Sequence, residues 1–199
     1  MKIQIKYNKT ALREFQKKLQ IRERALPTLK NKEAALRVMV LEAKKEWESL
    51  DDLYLSKIKK IEGWKQLWKE FNTDIVGIKS VASKSLNVAG LIIPEFQSME
   101  VRINDFSIFG NPAWFADGIN ELKGILEIRV KKEFLANKLS LLEHARKKAT
   151  QKVNLYEKVQ IPTLSSTIKQ IKRYLEDEEN LEKAGQKLLK QKLLKVKRT

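Results

Sequence analysis

The sequence predicts a mainly α protein, a long antiparallel two-helix coiled coil with a small central insert containing a short β-hairpin. Three observations predict it. A 3/4-spaced apolar seam runs unbroken from residue 12 to residue 71. A second, less regular seam occupies residues 119–175. Between them helical periodicity disappears, and four of the seven glycines and two of the four prolines fall within 77–118.

The first seam comprises Leu12, Phe15, Leu19, Arg22, Leu26, Leu29, Glu33, Leu36, Val40, Ala43, Trp47, Leu50, Tyr54, Lys57, Ile61, Trp64, Trp68 and Phe71. Fifteen of these eighteen are apolar. A 3.5-residue period kept this long requires a partner helix beside it. Residues 1–75 are therefore read as an N-terminal arm.

Residues 76–117 are read as the insert. Met99, Val101 and Ile103 alternate with Glu100 and Arg102, the pattern of a half-buried strand. Gly90 to Pro94 is a short apolar run between breakers, which places a hairpin within about 88–109. Asn111-Pro112 opens a turn, and Asp117 is the expected N-cap of the last long helix.

Residues 118–199 form the second arm with a basic tail. Ile119, Leu122, Leu126, Val130 and Phe134 begin its apolar face. Leu139, Leu142, Arg146, Ala149, Val153 and Tyr156 continue it, and Glu157, Ile161, Leu164, Ile168, Ile171 and Leu175 follow in a second frame. The slip at 156–161 is a stutter. The insert can turn the chain back, which favours a hairpin over a homodimer of parallel arms. Setting Phe71 opposite Ile119 puts Pro27 level with Pro162, so both arms are expected to bend there, and puts Lys57 near Glu133.

The net charge of +16 is concentrated at the ends. Residues 1–32 hold ten Lys/Arg against two Glu, and residues 183–199 hold seven Lys/Arg and no acid, leaving +1 for the other 150 residues. An antiparallel hairpin brings these ends together as a basic tip, which attracts an acidic surface or a nucleic acid. The candidate interaction residues are Lys183, Lys187, Lys190, Lys192, Lys195, Lys197 and Arg198, together with the N-terminal lysines. Leu188-Leu189 and Leu193-Leu194 recur at helical spacing within the tail and favour docking on protein.

No residue pattern points to catalysis. P-loop, GxGxxG, GxSxG and HExxH motifs are absent, and no cofactor is expected. The single histidine, His144, reads as a solvated helix-surface residue. The run Glu176-Asp177-Glu178-Glu179 points to several helix faces and reads as solvated charge rather than a cation site. Trp47, Trp64 and Trp68 could stack on bases, but their seam positions read as core. There is no cysteine for a disulfide or thiolate metal site, no apolar run of membrane-spanning length and no signal-peptide core, so a soluble cytoplasmic protein is expected.

Several stretches resemble one family. Val153-Asn154-x-x-Glu157, Ile161-Pro162-x-Leu164, Thr167-Ile168, Ile171 and Leu175-Glu176 are similar to the signature region of the D subunits of the V-type (vacuolar/archaeal-type) ATPases. Thr10-x-Leu12, Leu19, Leu29-Lys30-x-Lys32 and Gly90-x-x-x-Pro94 fit the same family, and Leu26-Pro27-Thr28-Leu29-Lys30 resembles its bacterial branch. Where members commonly read Val-Asn-Ala-Leu-Glu, this chain has Val153-Asn154-Leu155-Tyr156-Glu157. Lys183 to Leu188 replaces the aromatic-Arg-Leu-Lys tail of many members. The resemblance implies a non-catalytic central rotor shaft, one copy per complex, peripheral to the membrane. Both its termini would enter the head of A and B subunits, and its other end would meet the F subunit and the coupling subunit. It would link ATP hydrolysis or synthesis to proton or sodium transport. The alternative is a coiled-coil nucleic-acid- or ribosome-binding module that uses the same basic tip; the resemblance itself implies no stable nucleic-acid partner.

Overall fold

The computed structural model describes residues 6–63, 65–72, 75–88, 90–105 and 111–196, with side chains through residue 193. Helix α1 spans Lys9–Glu62, and α2 is a single turn, Lys65–Trp68. Strands β1 (Val76–Val88) and β2 (Leu91–Ile103) form an antiparallel hairpin. Helix α3 covers Phe115–Asn154, a π-helical turn follows at Leu155–Gln160, and α4 runs Ile161–Val196. The fold is thus mainly α with one small hairpin, as the sequence predicts. The chain divides into two units, one of residues up to Glu33 with those from Ala149 on, the other of Ala34–Lys148.

In the first unit α1 starts at an Asn8 cap, whose Oδ1 accepts from the Ala11 N–H at 2.7 Å. Just before the cap, Tyr7 packs on Tyr174 of α4, ring centroids 4.9 Å apart. Phe15, Leu164, Ile168 and Ile171 form the buried core, with Ala11, Leu12, Leu19 and Leu175 against it. Further along α1, Arg22 meets Gln160, Lys30 meets Glu157 and Glu33 meets Thr150. Partner numbers fall as α1 numbers rise, so the pairing is antiparallel.

The second unit repeats that pattern. Glu46 pairs with Lys138, Asp51 with Lys132, and Lys57 with Glu121. Lys132 also lies over the rings of Trp47 and Tyr54, at 4.9 and 5.2 Å from their centroids. Its aliphatic stem covers apolar surface while its charge is answered by two π faces and a carboxylate. Trp47 thus serves packing, in agreement with its seam position.

All described members of the first seam are buried or half-buried; Trp64 lies outside the described residues. The helix itself is shorter than its seam. Gly63 follows Glu62, its N–H bonding back to the Lys59 carbonyl, and Lys59 and Lys60 oppose the negative end of the dipole. Trp68 and Phe71 reach the core from beyond α1, in an aromatic cluster of Phe71, Ile75, Phe115 and Ile119 flanked by Trp68 and Trp114. The contact of Phe71 with Ile119 is therefore real, but it does not set the helix register. The arms begin from Glu62, and Lys57 meets Glu121 rather than Glu133, which is exposed. Pro27 comes level with the π turn rather than with Pro162, because Arg22 and Lys30 on either side of it bind Gln160 and Glu157.

Two further expectations shift. The hairpin spans 76–103 instead of falling within 88–109. β1 (Val-Gly-Ile-Lys-Ser-Val-Ala-Ser-Lys-Ser-Leu-Asn-Val) is exposed along most of its length, so it has no buried face to impose alternation. Gly90 turns the chain with φ 81°. β2 instead buries Ile93 and sets Phe96 edge-on to Phe134 of α3 at 6.0 Å. Asp117 is not the cap of α3; it lies in the first turn, where its charge still suits the dipole.

Gly118 is a close-approach glycine. A Cβ there would stand 2.9 Å from Cζ3 and 3.2 Å from Cε3 of Trp114. Gly118→Ala is expected to destabilise the second unit by about 1–2 kcal/mol, the strain of overpacking outweighing the helical gain of alanine. Chemical denaturation followed by tryptophan fluorescence checks this, and a stabilised variant would refute it.

Candidate protein-interaction site

The last packed residue of α4 is Leu175, beside the start of α1. From Glu176 through Leu193 every side chain is exposed, yet the helix continues. A helix with no partner normally shows an all-polar surface. This one does not. Leu181, Leu188, Leu189 and Leu193 are 62–74% exposed. They follow helical spacing, with Leu181 and Leu188 seven apart and Leu189 and Leu193 four apart. Lys183, Lys187 and Lys190, at steps of four and three, form a basic face opposite Leu181 and Leu188. Lys192 is exposed as well. Lys197, Arg198 and the side chain of Lys195 lie outside what is described. The segment therefore offers a partner both apolar area and positive charge.

Between the packed coil and this tail sits the acidic run. Glu176, Glu178, Glu179 and Glu182 line a shallow cleft with Lys9, Leu12, Lys172 and Leu175. Helix α1 has no acid in its own first turn, so these carboxylates supply negative charge at the positive end of its dipole. Lys183, through its hydrogen bond and then its charge, holds the Glu179 carboxyl below its ordinary pKa, with Lys9 adding to the effect. Among the described residues no three His, Cys, Asp or Glu side chains are grouped to hold a metal. His144 is exposed on α3. Sequence reasoning did not use Leu181, although its spacing to Leu188 was visible. It also gave no hint that the acidic run faces the start of α1, which depends on register.

Among the described residues no helix is long and apolar enough to cross a membrane. A family model that describes the ATP synthase D subunit matches residues 11–191. The chain belongs to the ATP synthase D-subunit family. It is 33% identical to the V-type ATP synthase D subunit of Borreliella burgdorferi over 198 residues, covering 98% of this chain and 97% of the relative. The V-type ATP synthase D subunits of Chlamydia pneumoniae and Chlamydia caviae are each 28% identical, covering 97% of this chain and 95% of the relative. As a member of this family the chain is a non-catalytic stalk subunit of a rotary ATPase complex.

Proposed function

We propose that this chain is the central rotor shaft of a V-type rotary ATPase. It transmits torque between a catalytic head of A and B subunits and a membrane rotor, coupling ATP hydrolysis or synthesis to proton or sodium transport. It works on the cytoplasmic side, peripheral to the membrane through the complex, as one copy per complex. The C-terminal tail enters the head, while the opposite end meets the F subunit and the coupling subunit. The observation that carries this reading is the form of the two arms. Within each unit antiparallel helices are locked by a packed seam, and beyond Leu175 the described side chains of α4 are exposed, leucines and lysines among them. A packed seam resists twisting, and an unpartnered amphipathic end supplies a plug for a socket.

Co-purification with the V-type A, B and F subunits, followed by sizing, tests the proposal. The expected product is a one-to-one pair with F that docks once on a ring of three A and three B subunits. Failure to bind F and the head, with salt-steep RNA or DNA binding instead, would favour the nucleic-acid reading.

A further inference from the structure

We infer that the π-helical turn Leu155–Gln160 is a one-residue insertion forming a soft joint in the hairpin, clamped from α1 by Arg22 and Lys30. The seam supplies the first argument. Ala149, Val153 and Tyr156 face inward at steps of four and three, but the next frame, half-buried Ile161 with buried Leu164 and Ile168, begins five residues after Tyr156, with Gln160 half-buried beside it. That is one residue more than the repeat allows. A π turn absorbs one extra residue and returns the following helix to phase. Here the Ile161 N–H bonds to the Tyr156 carbonyl, five residues back. Glu157, which the sequence pattern places in the seam, is consequently exposed.

The second argument is the local bonding. Pro162 has no N–H, so the ladder loses a donor at the exit of the turn. The Thr163 hydroxyl donates to the Val159 carbonyl at 2.6 Å, a side-chain bond of the kind that bends helices. None of the six residues of the turn is buried, whereas Ala149 and Leu164 on either side are. Polar links to α1 hold the turn instead. Arg22 Nε donates to Gln160 Oε1 at 2.5 Å, and the Arg22 guanidinium lies 6.0 Å from the Tyr156 ring. Lys30 Nζ reaches Glu157 Oε1 at 2.6 Å, with both side chains nearly half exposed. A stretch with weak backbone bonding and no buried apolar contact opens locally before its neighbours do. The joint stands independently of the shaft reading; only its consequence, a compliant point in a rotating shaft, rests on it.

Hydrogen exchange on the full chain tests the joint directly. Amides of 155–161 are expected to exchange about tenfold or more faster than those of 164–175. Deleting the exposed Lys158 restores the 3/4 repeat. It should remove that difference without lowering the melting midpoint. Deleting Lys169, between Ile168 and Ile171, misplaces the buried face and should lower the midpoint sharply. Equal protection across both segments would overturn the joint, as would a Lys158 deletion as damaging as the Lys169 deletion. The double variant Arg22→Ala, Lys30→Ala should speed exchange at 155–161 about threefold and leave 164–175 unchanged. No change at 155–161 would overturn the clamp.

Discussion

Replacing Ile171 by alanine is expected to destabilise the first unit by about 3–4 kcal/mol. The residue is 0% exposed and packs with Phe15, Leu164 and Ile168. The substitution removes three carbons, worth about 2.4 kcal/mol of transfer free energy. The cavity left behind adds to this, because a core of four buried residues between two stiff helices has few side chains that can move in to fill it. A loss of this size is a large part of the roughly 5–15 kcal/mol that holds an ordinary domain folded. Thermal melts followed by helical circular dichroism should show the affected transition lowered by about 10 °C or more. Leu188→Ala is the control. At 62% exposure it should move the melt by less than about 0.5 kcal/mol. Equal effects at the two positions would mean that the seam of α4 is not where the stability lies.

The seam is what the sequence made legible. A 3/4 repeat that persists through Leu36, Val40 and Ala43 is sustained only if each of those residues meets another helix, and all three are buried. The same logic located the stutter, because a one-residue slip must be absorbed somewhere, and it is absorbed between Tyr156 and Leu164. Register was not legible in the same way. It depends on where each helix stops, and the apolar repeat continues past the end of α1 into Trp68 and Phe71, which serve a different cluster. The misplaced register then misassigned the partner of Lys57. β1 was missed for the opposite reason, since a strand exposed on both faces leaves no periodic trace. At the candidate site, composition alone revealed the basic residues and the leucine pairs. That these leucines lie beyond the last packed residue required knowing where α1 begins, at Asn8.

Truncation after Glu182 separates folding from assembly. The segment removed carries seven Lys/Arg, its described side chains are all exposed, and Lys183 pairs with Glu179 of the same helix. Exposed pairs of this kind contribute little, so the melting midpoint should change by less than about 1 kcal/mol equivalent. Assembly should change far more. Burying Leu188, Leu189 and Leu193 in a socket would contribute at most about 1.5–3 kcal/mol each. Half of that total corresponds to roughly 40- to 1,600-fold in affinity. Binding to the A and B head, measured by titration with the labelled chain, should weaken by about that factor, and ATP turnover should uncouple from ion movement. Two full-length variants divide the effect. Glutamine at Lys183, Lys187, Lys190 and Lys192 should slow association and flatten its salt dependence, because charge acts mainly on encounter. Serine at Leu188, Leu189 and Leu193 should speed dissociation instead. Full-strength assembly and coupled turnover in the truncated chain would show that the free end of α4 is not the plug and that the head grips the shaft within its packed length.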